Sequence, residues 1–145
     1  MPVHRVTYDT NIMIRYRPAT FPAGFFMSAV VLQELTAGAK DAADVREFER
    51  FRKHYEANGR LLVPTGEDWW LAGKVLNSLH RGLRSHKRGH VMAISKGEQQ
   101  RILRDVLIAL TARRAGATVV TENVADYEKI RNFCNVRIAP PADFL

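Results

Sequence analysis

Among its 145 residues the chain has one cysteine, Cys134, so no disulfide can form within it. A small disulfide-stapled scaffold is excluded, and a reducing, cytoplasmic setting is expected. Long apolar runs are also missing. The longest, "AGFFMSAVVL", is broken by Ser28 and falls short of the roughly 18 residues that span a bilayer. No membrane association is expected. The opening "MPVHRVTYDTN" reaches Asp9 with no apolar stretch before it, unlike a signal peptide. There is no internal repeat, low-complexity tract or linker, and the length suits one compact domain, 1–145. Acid is in deficit: 15 Asp and Glu face 22 Lys and Arg, a net charge of +7. Such a balance fits a polyanionic partner, nucleic acid first, or simply a soluble basic surface.

What is present alternates between strand and helix signals. "HRVTYD" reads as a first strand, and "TNIMIRYRPATFPAG" as turn or loop with at most a short helix. "SAVVLQELTAG" reads as a helix capped by Ser28 and ended by Gly38, with room for a short strand in the preceding "FFMS". "DAADVREFERFRKHYEANG" has Asp41 as its cap and Gly59 as its stop. "RLLVP" is a short strand. The next helix opens on a Thr65–Asp68 capping box, with Trp69, Ala72, Val75, Leu76 and Leu79 as its inward stripe. That assigns Trp69 to the core and leaves Trp70 open to an interface. Residues 80–90 form a basic, glycine-punctuated loop or helix end, with His80, His86 and His90 exposed or facing nucleic acid. "SKGEQQRILRDVLIALTARRAG" is the longest helix, "ATVVT" a buried strand, "ENVADYEKIRNF" a loop with a short helix, and "NVRIAP" a last strand. The alternation predicts an α/β fold of three α/β/α layers with a mostly parallel sheet.

Four carboxylates stand out. Asp105 has Ile102, Ile108 and Ala109 among its helical neighbours, and Glu34 has Val30, Val31, Ala37 and Gly38. A carboxylate on such a face needs a cation, a metal or several donors. Asp9 closes the first strand and Asp126 follows "ATVVT"; if those strands are neighbours, both acids lie at the strands' carboxyl edge, where parallel sheets bind ligands. Each acid alone also has a structural explanation: an Asx-turn at Asp9, an arginine partner for Glu34, Arg101 or Arg104 beside Asp105, a helix cap at Asp126. Gathered together, four carboxylates repel strongly unless a divalent cation neutralises them. Oxygen ligands without a His–Cys cluster point to Mg²⁺ or Mn²⁺ rather than Zn²⁺.

"YDTNIMI", "VVLQELTAG" and "RDVLIALTARRAGATVVTENVADYEKI" resemble, in family order, the motifs of PIN-domain nucleases. The small size resembles that of VapC-type toxins of type II toxin–antitoxin pairs. The resemblance implies a Mg²⁺-dependent endoribonuclease, with Mn²⁺ as a substitute, that cleaves transfer or ribosomal RNA. Asp9, Glu34, Asp105 and Asp126 would be its acidic quartet, with metal on Asp9, Asp105 and Asp126. Thr10, Asn11, Thr121 and Asn123 would orient those acids, and Glu122 would be solvated. A cognate antitoxin, whose C-terminal segment fills the acidic groove, and a homodimer are implied as partners. Arg81, Arg84, Lys87 and Arg88 are candidates for contact with the RNA backbone, or a solvated stretch. One departure is that only 25 positions separate Asp9 from Glu34, which leaves little room for a first helix. An RNA-processing PIN nuclease and a non-catalytic RNA- or partner-binding module remain alternatives. A phosphatase of the haloacid-dehalogenase type is set aside, because its second Asp is replaced here by Asn11.

Overall fold

A computed structural model describes residues 5–16, 21, 24–86 and 95–144, with backbone alone for 82–86. The element order is β1 (Val6–Tyr8), α1 (Thr10–Arg15), β2 (Met27–Ser28), α2 (Ala29–Ala37), α3 (Ala42–Ala57), β3 (Leu61–Leu62), α4 (Gly66–His86), α5 (Lys96–Ala115), β4 (Thr118–Val120), α6 (Val124–Arg131) and β5 (Arg137–Ala139). Strands β1, β4 and β5 form a parallel sheet in the order β1-β4-β5, with Tyr8 opposite Val120 and Val120 opposite Ala139. Strands β2 and β3 form a second parallel pair, tied to β1 through a bridge between Thr7 and Phe26. The expected α/β fold with parallel strands is the one observed. β1 has the β2–β3 pair on one side and β4 on the other. Its carboxyl end therefore lies where the chain's progression reverses, the usual ligand position in such sheets.

Local chemistry sets the helix ends. Ser28 Oγ accepts from Val31 N at 3.3 Å, Asp41 from Asp44 N at 2.9 Å, and Ser95 from Glu98 N at 3.1 Å. Thr65 and Asp68 exchange both bonds of a capping box, at 2.9 and 3.2 Å. Helix α5 stops at Gly116, whose φ of 65° is left-handed and whose N–H bonds the carbonyls of Ala112 and Arg113. A Cβ is strained at that φ, so glycine is the natural residue there.

The core gathers Val6, Tyr8, Val119 and Val120 of the strands around α5, where every residue from Val106 to Ala112 is buried. A helix enclosed on all sides keeps little amphipathic contrast. Asp105 directly precedes this buried run.

The inward stripe of α4 differs from the expectation at one residue. Ala72 and Val75 are buried, but Trp69 is 53% exposed. The place one turn before Ala72 is taken by Asp68, which is buried, bonds the helix start and pairs with Arg114. Trp69 is thereby rotated outward. Trp70 is also exposed, with the Lys74 ammonium 4.8 Å from its ring centre. α4 continues through Gly82 to His86, so of the two readings of this stretch, loop or helix end, the helix end holds as far as His86. His80 is half-buried, with Nε2 screened from solvent and unpaired, so it is not the exposed residue expected. Despite the short spacing from Asp9 to Glu34, a six-residue α1 does form.

Candidate active site

Asp9 follows β1 directly. Its N–H donates to Val120 O of β4 at 2.9 Å, and its carboxylate caps α1 by accepting from Thr10 N at 2.8 Å. One residue thus ends the strand pairing and starts a helix. Asp9 as a residue is 4% exposed. Its second oxygen accepts from Thr121 Oγ1 at 2.8 Å and, at 3.5 Å, from Asn11 Nδ2. Thr121 lies just past β4, and its hydroxyl also accepts from Asn123 N at 3.0 Å. It therefore links Asp9 to the start of α6, which carries Asp126 in its first turn. Parallel pairing of β1 with β4 is what joins residues 112 positions apart. Thr10 Oγ1 is buried towards Glu34 but makes no well-formed hydrogen bond. Asn11 Oδ1 lies 3.5 Å from Glu122 N. Glu122 is exposed, as expected of a solvated acid, and pairs with Arg15 at 2.9 Å on the surface.

The acids feel one another. Burial raises the Asp9 carboxyl above its ordinary range; the bonds from Thr121 and Thr10 and the nearby Tyr127 hydroxyl oppose this, and the Asp126 charge adds to it. Burial likewise raises Glu34, against Arg104, whose Nε lies 3.8 Å from Oε2; Thr10 also lowers it, and Asp9 raises it. Asp105 is pushed up to about 7, first by burial, then by the charges of Asp9, Asp126 and Glu34, with Arg101 opposing. The fold thus draws Asp9 of the β1 end, Glu34 of α2, Asp105 of α5 and Asp126 of α6 into one electrostatic cluster. Among the described residues, no three His, Cys, Asp or Glu side chains form a ready-made metal cage. Like charges push apart without a counter-charge. Here Asp9 is engaged by two threonines and Glu34 by Arg104. The donor set nevertheless fits a hard divalent cation: four carboxylates without a thiol or imidazole among them, in a partly dry recess.

Two participants had no assigned role in the sequence. Arg104 was weighed as a partner of Asp105, but adjacent helical residues face different ways, and it serves Glu34 of the neighbouring helix instead. Tyr127 was visible only as the aromatic residue after Asp126. The structure buries it completely, and the charges of Asp9, Asp105 and Glu34 raise its phenol well above the ordinary range, after burial itself. A hydroxyl on a ring that could pack as well without one was the only clue. Among the proposed RNA contacts, Arg81 is exposed on α4 and Arg84 lies further along that helix; Lys87 and Arg88 fall outside the described residues, as does His90.

Beside Glu34 opens a groove of about 880 Å³. Met13, Leu35, Phe48, Phe51 and Tyr55 line it. Helix α3 contributes three of these and has no fully buried residue of its own.

No family model and no curated protein sequence matches the chain. Solved structures do. A chain of VapBC-1 from nontypeable Haemophilus influenzae superimposes with a TM-score of 0.58 at 20% identity, over 94% of this chain and 97% of its own. A chain of VapBC2 from Rickettsia felis, bound to a DNA fragment from their promoter, gives 0.55 at 18% identity, over 94% and 98%. A chain of FitAB bound to an IR36 DNA fragment gives 0.53 at 18% identity, over 94% of each. The α/β fold implied by the PIN-domain resemblance is thus the fold shared with these VapBC and FitAB chains.

Proposed function

We propose that the chain is a Mg²⁺-dependent endoribonuclease of the PIN type and the toxin of a toxin–antitoxin pair. The observation that carries this reading is the convergence of four carboxylates at the carboxyl edge of parallel strands, inside a protein of net charge +7. Asp9, Asp105 and Asp126 would hold the metal. When bound, a divalent cation makes water nucleophilic near neutral pH and stabilises the charge that builds on the phosphate. Thr10 and Thr121 hold the Asp9 carboxylate in one orientation. Asn123 holds Thr121 in turn. Glu34, balanced between burial and Arg104, is placed to orient the reacting groups. The surrounding basic surface, Arg81 included, binds the RNA backbone, so affinity falls steeply with salt.

The toxin assignment rests on likeness of fold to the VapBC and FitAB chains. The groove along α3 offers an antitoxin segment an apolar bed that ends at an acid, where an arginine of the partner would pair. A homodimer in the cytoplasm is part of the same reading. The test is incubation of purified protein with structured RNA and Mg²⁺. Cleavage abolished by EDTA and restored by Mg²⁺ or Mn²⁺ is expected. Tight RNA binding without cleavage under any divalent cation would leave a binding module instead.

A further inference from the structure

We propose that the exposed line of α4 from Trp70 to Arg81 is a track for single-stranded RNA, with a base stacked on Trp70 and phosphates held by Lys74 and Arg81. That the strand is RNA rests on the nuclease reading above; the track itself does not.

Helical spacing draws the line. Lys74, Asn77 and Arg81 follow Trp70 by four, seven and eleven residues, and Arg84 falls on the same face by register. Ala72 and Val75, on the other side of α4, are buried. Trp70 is 64% exposed, and Lys74, Asn77 and Arg81 are exposed with it. A lone exposed apolar residue needs no explanation, but this one heads a row of cations. The Lys74 ammonium stands 4.8 Å from the indole ring centre, so charge and aromatic surface meet at one point.

Charge selects the occupant. The acids of α4 lie in its first turn, Glu67 and Asp68, and Asp68 is engaged by Arg114. From Trp69 to His86 the helix carries Lys74, Arg81 and Arg84 and no carboxylate. Among the described residues, no acid pairs with Lys74 or Arg81. A second copy of this chain is a poor fit, because a twofold contact would set these cations against their own copies. A nucleic acid answers both features, its phosphates meeting the cations and a base face meeting the indole. A duplex hides its base faces in the stack, so the strand is single.

The track also runs past the acids. Helices α4 and α5 are antiparallel: Arg114, near the end of α5, reaches Asp68 and the Val63 carbonyl at the start of α4. Leu110 and Arg113 share a small cavity with Leu71, Lys74 and Ser78. Asp105 precedes Arg114 by about two and a half turns, or 14 Å of helix. The same advance from Asp68 along α4 reaches Asn77, within the line. A strand on α4 therefore passes level with Asp105.

The chain has two tryptophans, so Trp69→Phe leaves Trp70 as the sole indole fluorophore. That variant is titrated with a short oligoadenylate in EDTA, where metal-dependent cleavage is silent. Oligoadenylate should quench Trp70, and heparin, a polyanion without bases, should not. Trp70→Ala should weaken oligoadenylate binding about tenfold and leave its salt dependence unchanged. Lys74→Ala and Arg81→Ala should each lower the slope of log affinity against log salt by about 0.7. All three positions are exposed, so circular dichroism should show the fold intact. Equal quenching by heparin, or Trp70→Ala with wild-type affinity for oligoadenylate, overturns the proposal. A dimer that Trp70→Ala splits without loss of oligoadenylate affinity also overturns it, and makes the line a contact between copies. Binding on the track by a protein that cleaves no RNA under any divalent cation sinks the nuclease reading alone. Metal-dependent cleavage with unchanged KM in Trp70→Ala sinks the track alone.

Discussion

Asp9 and Asp68 are both buried aspartates at the start of a helix, 4% and 6% exposed. Asp68 closes a capping box with Thr65 and meets the guanidinium of Arg114. Its charge is balanced where it lies. Asp9 also caps a helix, but the charges near it belong to other acids. Burial and capping look alike at the two sites; the sign of the neighbouring charge separates them. A buried acid with a cation beside it holds elements together, whereas one among acids stores repulsion that folding alone does not relieve.

The sharpest way to break this comparison is to neutralise each acid in turn. Asp9→Asn or Asp105→Asn should cut Mg²⁺-dependent RNA cleavage by at least about 100-fold. The fold should remain intact by circular dichroism. Full activity in either variant would remove that residue from the site. Asp68→Ala should leave cleavage per folded molecule unchanged.

Acidity should separate the regions next. The folded state holds Asp105 at about 7, above its value in the unfolded chain, and burial raises Asp9 and Glu34 in the same direction. Between the two values the folded chain keeps a proton that the unfolded chain has released. Stability of the metal-free chain from this source is complete below about pH 4 and is lost as pH rises to about 7, by a few kcal/mol. Denaturant unfolding in EDTA at pH 5.5 and 8 should show greater stability at pH 5.5. Asp105→Asn should flatten that difference. Added Mg²⁺ should restore stability most at pH 8, where the acids are ionised.

A smaller effect belongs to the balanced acid. Asp68→Ala removes a cap and strands Arg114, at a cost of about 2 kcal/mol in chemical denaturation. Arg114 is partly solvated, which keeps the figure from being larger. An equal cost from Asp9→Asn would erase the contrast between the sites. The least effect is expected at Glu122, whose pairing with Arg15 is exposed: Glu122→Gln should shift stability by less than about 0.5 kcal/mol.

The sequence alone was enough to identify the caps at Ser28, Asp41 and Thr65–Asp68, because each depends on residues three apart on one stretch of chain. It also marked Asp105 and Glu34 as misplaced acids, since helical spacing lists their apolar neighbours without any knowledge of the fold. Trp69 went the other way. Periodicity placed it inward, and the tertiary pairing of Asp68 with Arg114 took that position. Arg104 was similarly beyond reach, because its partner, Glu34, lies on an element far away in the chain. What only the tertiary structure decided is that Asp9, Glu34, Asp105 and Asp126 lie within reach of one another's charge. That follows from β1 pairing in parallel with β4, a contact between distant segments whose register places Asp9 beside Thr121. Local patterns determine the elements and their ends; long-range strand pairing and shared burial decide which charges end up facing one another.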